Sequence, residues 1–170
     1  ALVYAAKMAS TETETVVDAA VSGPPATGSA GTCTVYIYNG AKTTPGAGPA
    51  LITAAQTIID GNDATSTPGY KAAGVVVTVA SATTQTVTVT VSVSRISSYT
   101  ASAVQQSVIA AINTYFDTMR IGSAFLLYEL IERIMATPGV YNAVVTAPTG
   151  DQAATSGRVY IAGTITVTVP

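Results

Sequence analysis

The apolar and polar positions of this chain follow two periods. In residues 74–94, GVVVTVASATTQTVTVTVSVS, Val fills every odd position from 75 to 79 and again from 87 to 93, while Thr or Ser takes most of the even ones. A period of two sends alternate side chains to opposite faces of a strand. The stretch therefore predicts two strands, about 74–80 and 85–95, interrupted between 80 and 85. Further strands are predicted at 15–21 (TVVDAAV), 32–38 (TCTVYIY), 140–147 (VYNAVVTA) and 158–169 (RVYIAGTITVTV). In the last of these Val159, Ile161, Ile165, Val167 and Val169 all stand at odd positions, which predicts one continuous apolar face.

A period near 3.6 takes over between the strands. Leu51, Ala54, Ala55, Ile58 and Ile59 predict a helix over 50–60 that Gly61 stops. Val104, Val108, Ile109, Ile112, Tyr115, Phe116 and Met119 form one stripe over 100–119, with Thr100 as N-cap and Arg120, Ile121 and Gly122 at the end. A second helix carries Leu127, Leu130, Ile131, Ile134 and Met135 on one face and stops at Thr137-Pro138-Gly139. Residues 2–10 read as the end of a helix. Residues 22–31, 39–49 and 61–73 read as loops, the first with two prolines and three glycines.

The pattern is thus written twice. Strand, strand, helix and strand fill 15–80; strand, helix, helix, strand and strand fill 85–169. This predicts an α+β fold of two small domains, 1–80 and 81–170, each a short mixed or antiparallel sheet covered on one face by one or two helices. The valines are expected to face the helices, and the Thr and Ser to face water or another chain. A chain that opens on Ala1 without Met is expected to be N-terminally truncated in its first domain.

Composition adds a constraint on the surface. Of 170 residues only 9% are charged, against roughly 25% in an average globular protein, and Thr, Ser, Ala and Gly stand in their place. Such a surface has little electrostatic protection against association and suits a protein that works inside an assembly. The net charge is −2, and Lys7, Lys42, Lys71, Arg95, Arg120, Arg133 and Arg158 are scattered singly. Nucleic-acid binding needs clustered cations, so that class is set aside. No apolar run approaches the ~18 residues of a membrane span, and the first residues do not read as a signal peptide.

Candidate chemistry is sparse. With no His, the commonest general base and transition-metal ligand is missing. Cys33, the one cysteine, reads as a small packed hydrophobe. Glu129 and Glu132 lie three apart on a predicted helix, but Arg133 is four residues after Glu129, the spacing of a surface ion pair. Asp60-Gly61-Asn62-Asp63 could hold calcium but lacks the ligand spacing of a calcium loop, and reads as a turn after a helix. Residues 29–32 lack the lysine of a phosphate cradle. The Thr-Pro-Gly triplets at 44–46, 67–69 and 137–139 read as turns. No catalytic, cofactor-binding or metal-binding residue is assigned, and no cofactor, small-molecule substrate or enzymatic activity is expected. Nine tyrosines, with Tyr36 and Tyr38 on one strand face, leave a cell-surface adhesion or carbohydrate-binding module as the alternative to a structural role.

The ordered series of elements resembles the baseplate J-like family of phage tail proteins. The resemblance is carried by the valine-rich strands of 74–94, the helix of 100–119, Ile121-Gly122, Glu129-Leu130-Ile131, Ile134-Met135, Pro138-Gly139-Val140 and the closing strand. Val17 to Val21, Thr34 to Ile37 and the helix at 50–60 look, more loosely, like the family's central domain. The loops 22–31 and 61–73 are longer than the family's pattern, and Tyr128 stands where a small polar helix cap is usual. The resemblance implies a wedge component of the baseplate of a contractile tail or related injection machine, located in the virion and assembled in the host cytoplasm. Its partners would be copies of itself and neighbouring wedge and hub proteins, joined in a ring, without nucleic acid or membrane.

Overall fold

The computed structural model describes residues 1–23, 31–41 and 46–170. The loop residues 24–30, Lys42, most of the Thr44-Pro45-Gly46 triplet and part of 29–32 lie outside the described residues. The fold is α+β, and the chain divides into two compact units. One comprises Ala1–Thr84 with Ser156–Val159; the other comprises Gln85–Thr155 with Tyr160–Pro170.

In the first unit, helix α1 (Leu2–Lys7) is followed by β1 (Asp18–Ser22), β2 (Thr32–Tyr38), α2 (Pro49–Asp60) and, after a loop, β5 (Val76–Ser81). The sheet order is β1-β2-β5, with β1 antiparallel and β5 parallel to β2. A parallel pair needs a crossover connection, and α2 supplies it. Pro49 opens α2 at a position where its missing N–H costs nothing. The apolar sides of α1 and α2 (Ala5, Ala6, Leu51, Ala55, Ile59) cover Val35, Ile37, Val77 and Val79 of the sheet.

The polar stretch after α2 is more ordered than its lack of apolar periodicity predicts. Strands β3 (Gly61–Asn62) and β4 (Thr67–Pro68) form a two-residue ribbon around a 3-10 turn. It folds back so that the Tyr70 and Lys71 N–H groups donate to the Ile59 carbonyl at 2.9 and 3.2 Å, closing the end of α2. Gly61 takes φ +83°, and a Cβ there would stand 2.5 Å from the Gly69 nitrogen. Only glycine fits that crossing.

In the second unit, β6 (Thr83–Arg95) leads into α3 (Ala101–Asp117), α4 (Leu127–Met135), β7 (Val140–Ala147) and β8 (Arg158–Thr168). The sheet order is β7-β6-β8, with β6 and β7 antiparallel. Val87, Val89, Val91 and Val93 are buried under Val104, Val108, Ile112, Tyr115, Phe116, Leu130 and Ile134, while Thr86, Thr88, Ser92 and Ser94 are exposed. The Thr100 hydroxyl accepts the Ala103 N–H at 3.3 Å and caps α3.

Several expectations are corrected. The interruption between the two valine strands is Ala82 alone, not 80–85. Ala82 N–H still donates to Ile37 of the first sheet, and Thr83 N–H already turns to Gly157. β1 begins at Asp18 rather than 15. On α4 the buried pair is Leu130 and Ile134; Met135 lies about 100° further round and is exposed. β8 has no single odd-numbered face: Tyr160 and Ala162 join the second core in its first half, Ile165, Val167 and Val169 in its second. The change of side falls across Gly163, where one residue too many for the alternation shifts the parity.

Candidate interaction surfaces

The residues that might have carried chemistry are held by ordinary structural contacts. Cys33 is half-buried in β2 and packs against the first core. Glu129 faces Arg133 at 3.7 Å, both exposed, and Glu132 is exposed beside them. Asp60 accepts from Lys71 Nζ and from Gln56 Nε2, each at 2.8 Å. The bond from Lys71, then that from Gln56, holds its carboxyl below the ordinary carboxylate range. The Asn62 side chain accepts the Ala64 N–H and so caps the 3-10 turn. Among the described residues, no group of three or more His, Cys, Asp or Glu side chains is placed to hold a metal ion.

The tyrosines are dispersed in role. Tyr38 is buried and its hydroxyl donates to the Ala41 carbonyl; Tyr160 is buried and donates to Ala153. Tyr4 and Tyr70 are exposed and meet each other at 6.4 Å with their planes tilted by 59°. Tyr128 and Tyr141 are the most exposed aromatic residues described, at 81% and 74%.

Two carboxylates that no local pattern singled out turn out to organise the helix entrances. A cleft of about 380 Å³ is lined by Thr13, Glu14, Thr15, Asn39, Gly40 and Ala41. Glu14 accepts from Asn39 Nδ2 at 2.8 Å and, through both oxygens, from the Gly48 N–H at 3.3 and 3.1 Å. Gly48 is the N-cap of α2, so the Glu14 charge sits at the positive end of that helix. A Cβ on residue 48 would meet a Glu14 oxygen at 2.6 Å, so a larger residue there would push the carboxylate aside. In the second unit, Asp151 Oδ1 accepts the Leu127 N–H at 2.8 Å at the start of α4. The Tyr115 hydroxyl accepts from the Leu126 N–H and donates to the Leu126 carbonyl, both at 3.1 Å.

With chemistry accounted for, the sheet edges are the remaining feature. An edge strand offers unpaired backbone groups to other chains. The Val76 N–H of β5 points to Gly31 and so to the β2 side, which leaves Val77 and Val79 pointing outward. There the Gln56 carboxamide of α2 takes their place in the ladder: its Nε2 donates to the Val77 carbonyl at 2.9 Å and its Oε1 accepts the Val79 N–H at 2.8 Å. A second helix-borne amide does similar work on β8, where Gln105 Nε2 donates to the Val167 carbonyl at 2.8 Å. Edge strand β1 has five residues and carries Asp18, which faces Lys7 at 3.5 Å. Edge strand β7 is longer, with eight residues and no charge.

Residues 87–168, which span β6 from Val87 through α3, α4 and β7 to the end of β8, match the family model described as Baseplate J-like protein C-terminal domain. No curated protein matches the sequence. A domain of this kind points to a structural role in a phage tail baseplate, to a place in the virion tail, and to contacts with other baseplate proteins. The family is structural and not known for enzymatic activity.

Proposed function

Because the chain belongs, through residues 87–168, to the baseplate J-like family, we propose that it is a wedge subunit of the baseplate of a contractile tail or related injection machine. It acts by protein–protein contacts with copies of itself and with neighbouring wedge and hub proteins, which together close a ring. Residues 1–80 act as a central domain of the family and 81–170 as its C-terminal domain, assembled in the host cytoplasm before incorporation into the virion. The family match is the observation that carries this reading. The low charge of the chain and the uncharged outer face of β6 support it, because charged residues are depleted at the buried centres of protein interfaces.

Immunogold labelling of a lysate of the source cells, viewed by negative-stain electron microscopy, tests the proposal. Gold is expected at the distal end of tails or tail-like particles. Gold over cell surfaces with tails bare would overturn it, and a glycan array would then be the next measurement.

A further inference from the structure

Four asparagines stand in the chain: Asn39, Asn62, Asn113 and Asn142. Only Asn39 is followed by glycine, and the residue after an asparagine decides how easily its backbone nitrogen reaches the side-chain amide carbon. Gly40 brings no Cβ to obstruct that approach, and it stands at φ +79°, a conformation that favours glycine. Among the described residues, no hydrogen bond claims the Gly40 N–H. Asn39 and Gly40 follow directly on the end of β2, half-buried on the wall of the cleft they share with Glu14, where water reaches them.

The Asn39 carboxamide is held at both ends. Its Oδ1 accepts the Ala41 N–H at 3.0 Å, and its Nδ2 donates to Glu14 Oε1 at 2.8 Å. The first bond closes a ring through the side chain and the Gly40 peptide, which turns the amide carbon Cγ back toward that peptide. It also places a donor on the oxygen where negative charge collects when the Gly40 nitrogen adds to Cγ. Asn62 makes the same turn, with its Oδ1 accepting the Ala64 N–H at 3.0 Å. There, however, Asp63 follows and sets a side chain and a negative charge beside the attacking nitrogen.

We propose that Asn39 is a site of spontaneous deamidation in the folded chain, and that the change loosens the N-terminus of α2. The Gly40 nitrogen gives its proton to hydroxide and bonds to Cγ, while Nδ2 takes a proton from water and leaves as ammonia. Water then opens the resulting succinimide, at Cγ to give aspartate or at the backbone carbonyl carbon to give an isoaspartyl linkage. The net reaction consumes a water and releases an ammonia, with nothing oxidised or reduced. In the product a carboxylate replaces the amide that donated to Glu14 at 2.8 Å, so two like charges face each other. Glu14 also accepts the Gly48 N–H at the entrance of α2, and repulsion that moves it unties that helix end as well. The isoaspartyl form further lengthens the backbone just after Tyr38, whose carbonyl accepts the Val17 N–H at 2.9 Å. The inference does not depend on the baseplate reading.

The test is peptide mapping by mass spectrometry after incubation of the full chain in mildly alkaline buffer, once folded and once unfolded in guanidinium. In the folded chain the peptide bearing Asn39 is expected to gain the mass that replaces an amino group by a hydroxyl. It should split into aspartyl and isoaspartyl forms before Asn62, Asn113 or Asn142 changes. Conversion of Asn39 in the unfolded chain with none in the folded one would overturn the proposal, as would earlier conversion of any other asparagine. The link to α2 is read from urea titrations of Asn39→Asp, alone and in a Glu14→Gln background. Asn39→Asp is expected to lower the midpoint, and to lower it less where no second carboxylate faces the new one. An unchanged midpoint, or equal losses in the two backgrounds, would show that the new charge does not act through Glu14 and would overturn the coupling to the helix.

Discussion

Both units lay helices on one face of a three-stranded sheet, but they fill the space between with different side chains. The first core is floored with alanine, at Ala5, Ala6, Ala9, Ala19, Ala47 and Ala55, and only Leu51, Ile37 and Ile59 among its fully buried members are larger than valine. The second core is filled by Tyr115, Phe116 and Phe125 together with Ile112, Leu130 and Ile134. Its three rings form a cluster with all centroids 5.7 Å apart, two contacts edge-to-face and one stacked. A core of large side chains depends on each of them, because truncation removes many contacts and leaves a cavity. A core of small side chains depends on close approach, and its weak point is enlargement.

The largest effect is therefore expected at Phe125, fully buried and in contact with both other rings. Phe125→Ala should destabilise the second unit by about 3–5 kcal/mol. Amide hydrogen exchange, read separately on β6 and on β2, is the appropriate measurement, because it resolves local from global opening. Next is Ala55, fully buried in α2. Ala55→Leu should cost the first unit about 1–3 kcal/mol by overpacking, with protection lost on β2. If Ala55→Leu left the protection of β2 unchanged, the first core would have slack, and the contrast between a close-packed and a ring-filled core would fail.

The elements most legible in the sequence are those fixed by neighbours along the chain. The alternation of Val87, Val89, Val91 and Val93 with Thr and Ser is a property of the strand itself, and burial follows it residue by residue. The stripe from Val104 to Phe116 is likewise local to α3. What escaped is fixed by partners far away. Glu14 reaches Gly48 across 34 residues, Asp151 reaches Leu127 across 24, and Gln56 reaches Val77 across 21. Nothing adjacent to these three polar residues distinguishes them from other surface polar groups. The ribbon at 61–68 escaped for another reason: backbone hydrogen bonds to other segments determine it, and apolar spacing does not.

These distant carboxylates sharpen the comparison, because the same device appears in both units with unequal burial. Glu14 is partly buried and serves two partners, Asn39 and Gly48, whereas the bond from Asp151 to Leu127 is exposed. Glu14→Ala should cost the first unit about 1–3 kcal/mol, since the Gly48 N–H and the Asn39 amide both lose their acceptor. Asp151→Ala should cost the second unit about 0.5–1 kcal/mol, the low end for a lost cap. Urea titrations of each variant beside wild type, with unchanged slope, are the check. Equal losses would mean that burial does not set the worth of these caps.

The last and smallest expected effect is a pH dependence at Tyr115, and it appears only under alkaline conditions. Burial pushes its phenol above the ordinary value of 10.0, against the opposing effect of its bond with Leu126. In the unfolded chain the phenol ionises near that ordinary value, whereas in the folded chain it holds its proton to higher pH. Below pH 10.0 both states are protonated and this residue adds no pH dependence. Above it, ionisation favours the unfolded chain, so stability falls as pH climbs through the raised native value. Denaturation midpoints of wild type and Tyr115→Phe, compared at neutral pH and at successive steps above pH 10.0, isolate this residue from the other tyrosines. The variant starts lower, having lost both bonds to Leu126, and the gap should narrow as pH rises. A gap that stays constant would show that the Tyr115 phenol titrates alike in both states and that the ring cluster does not exclude water from it.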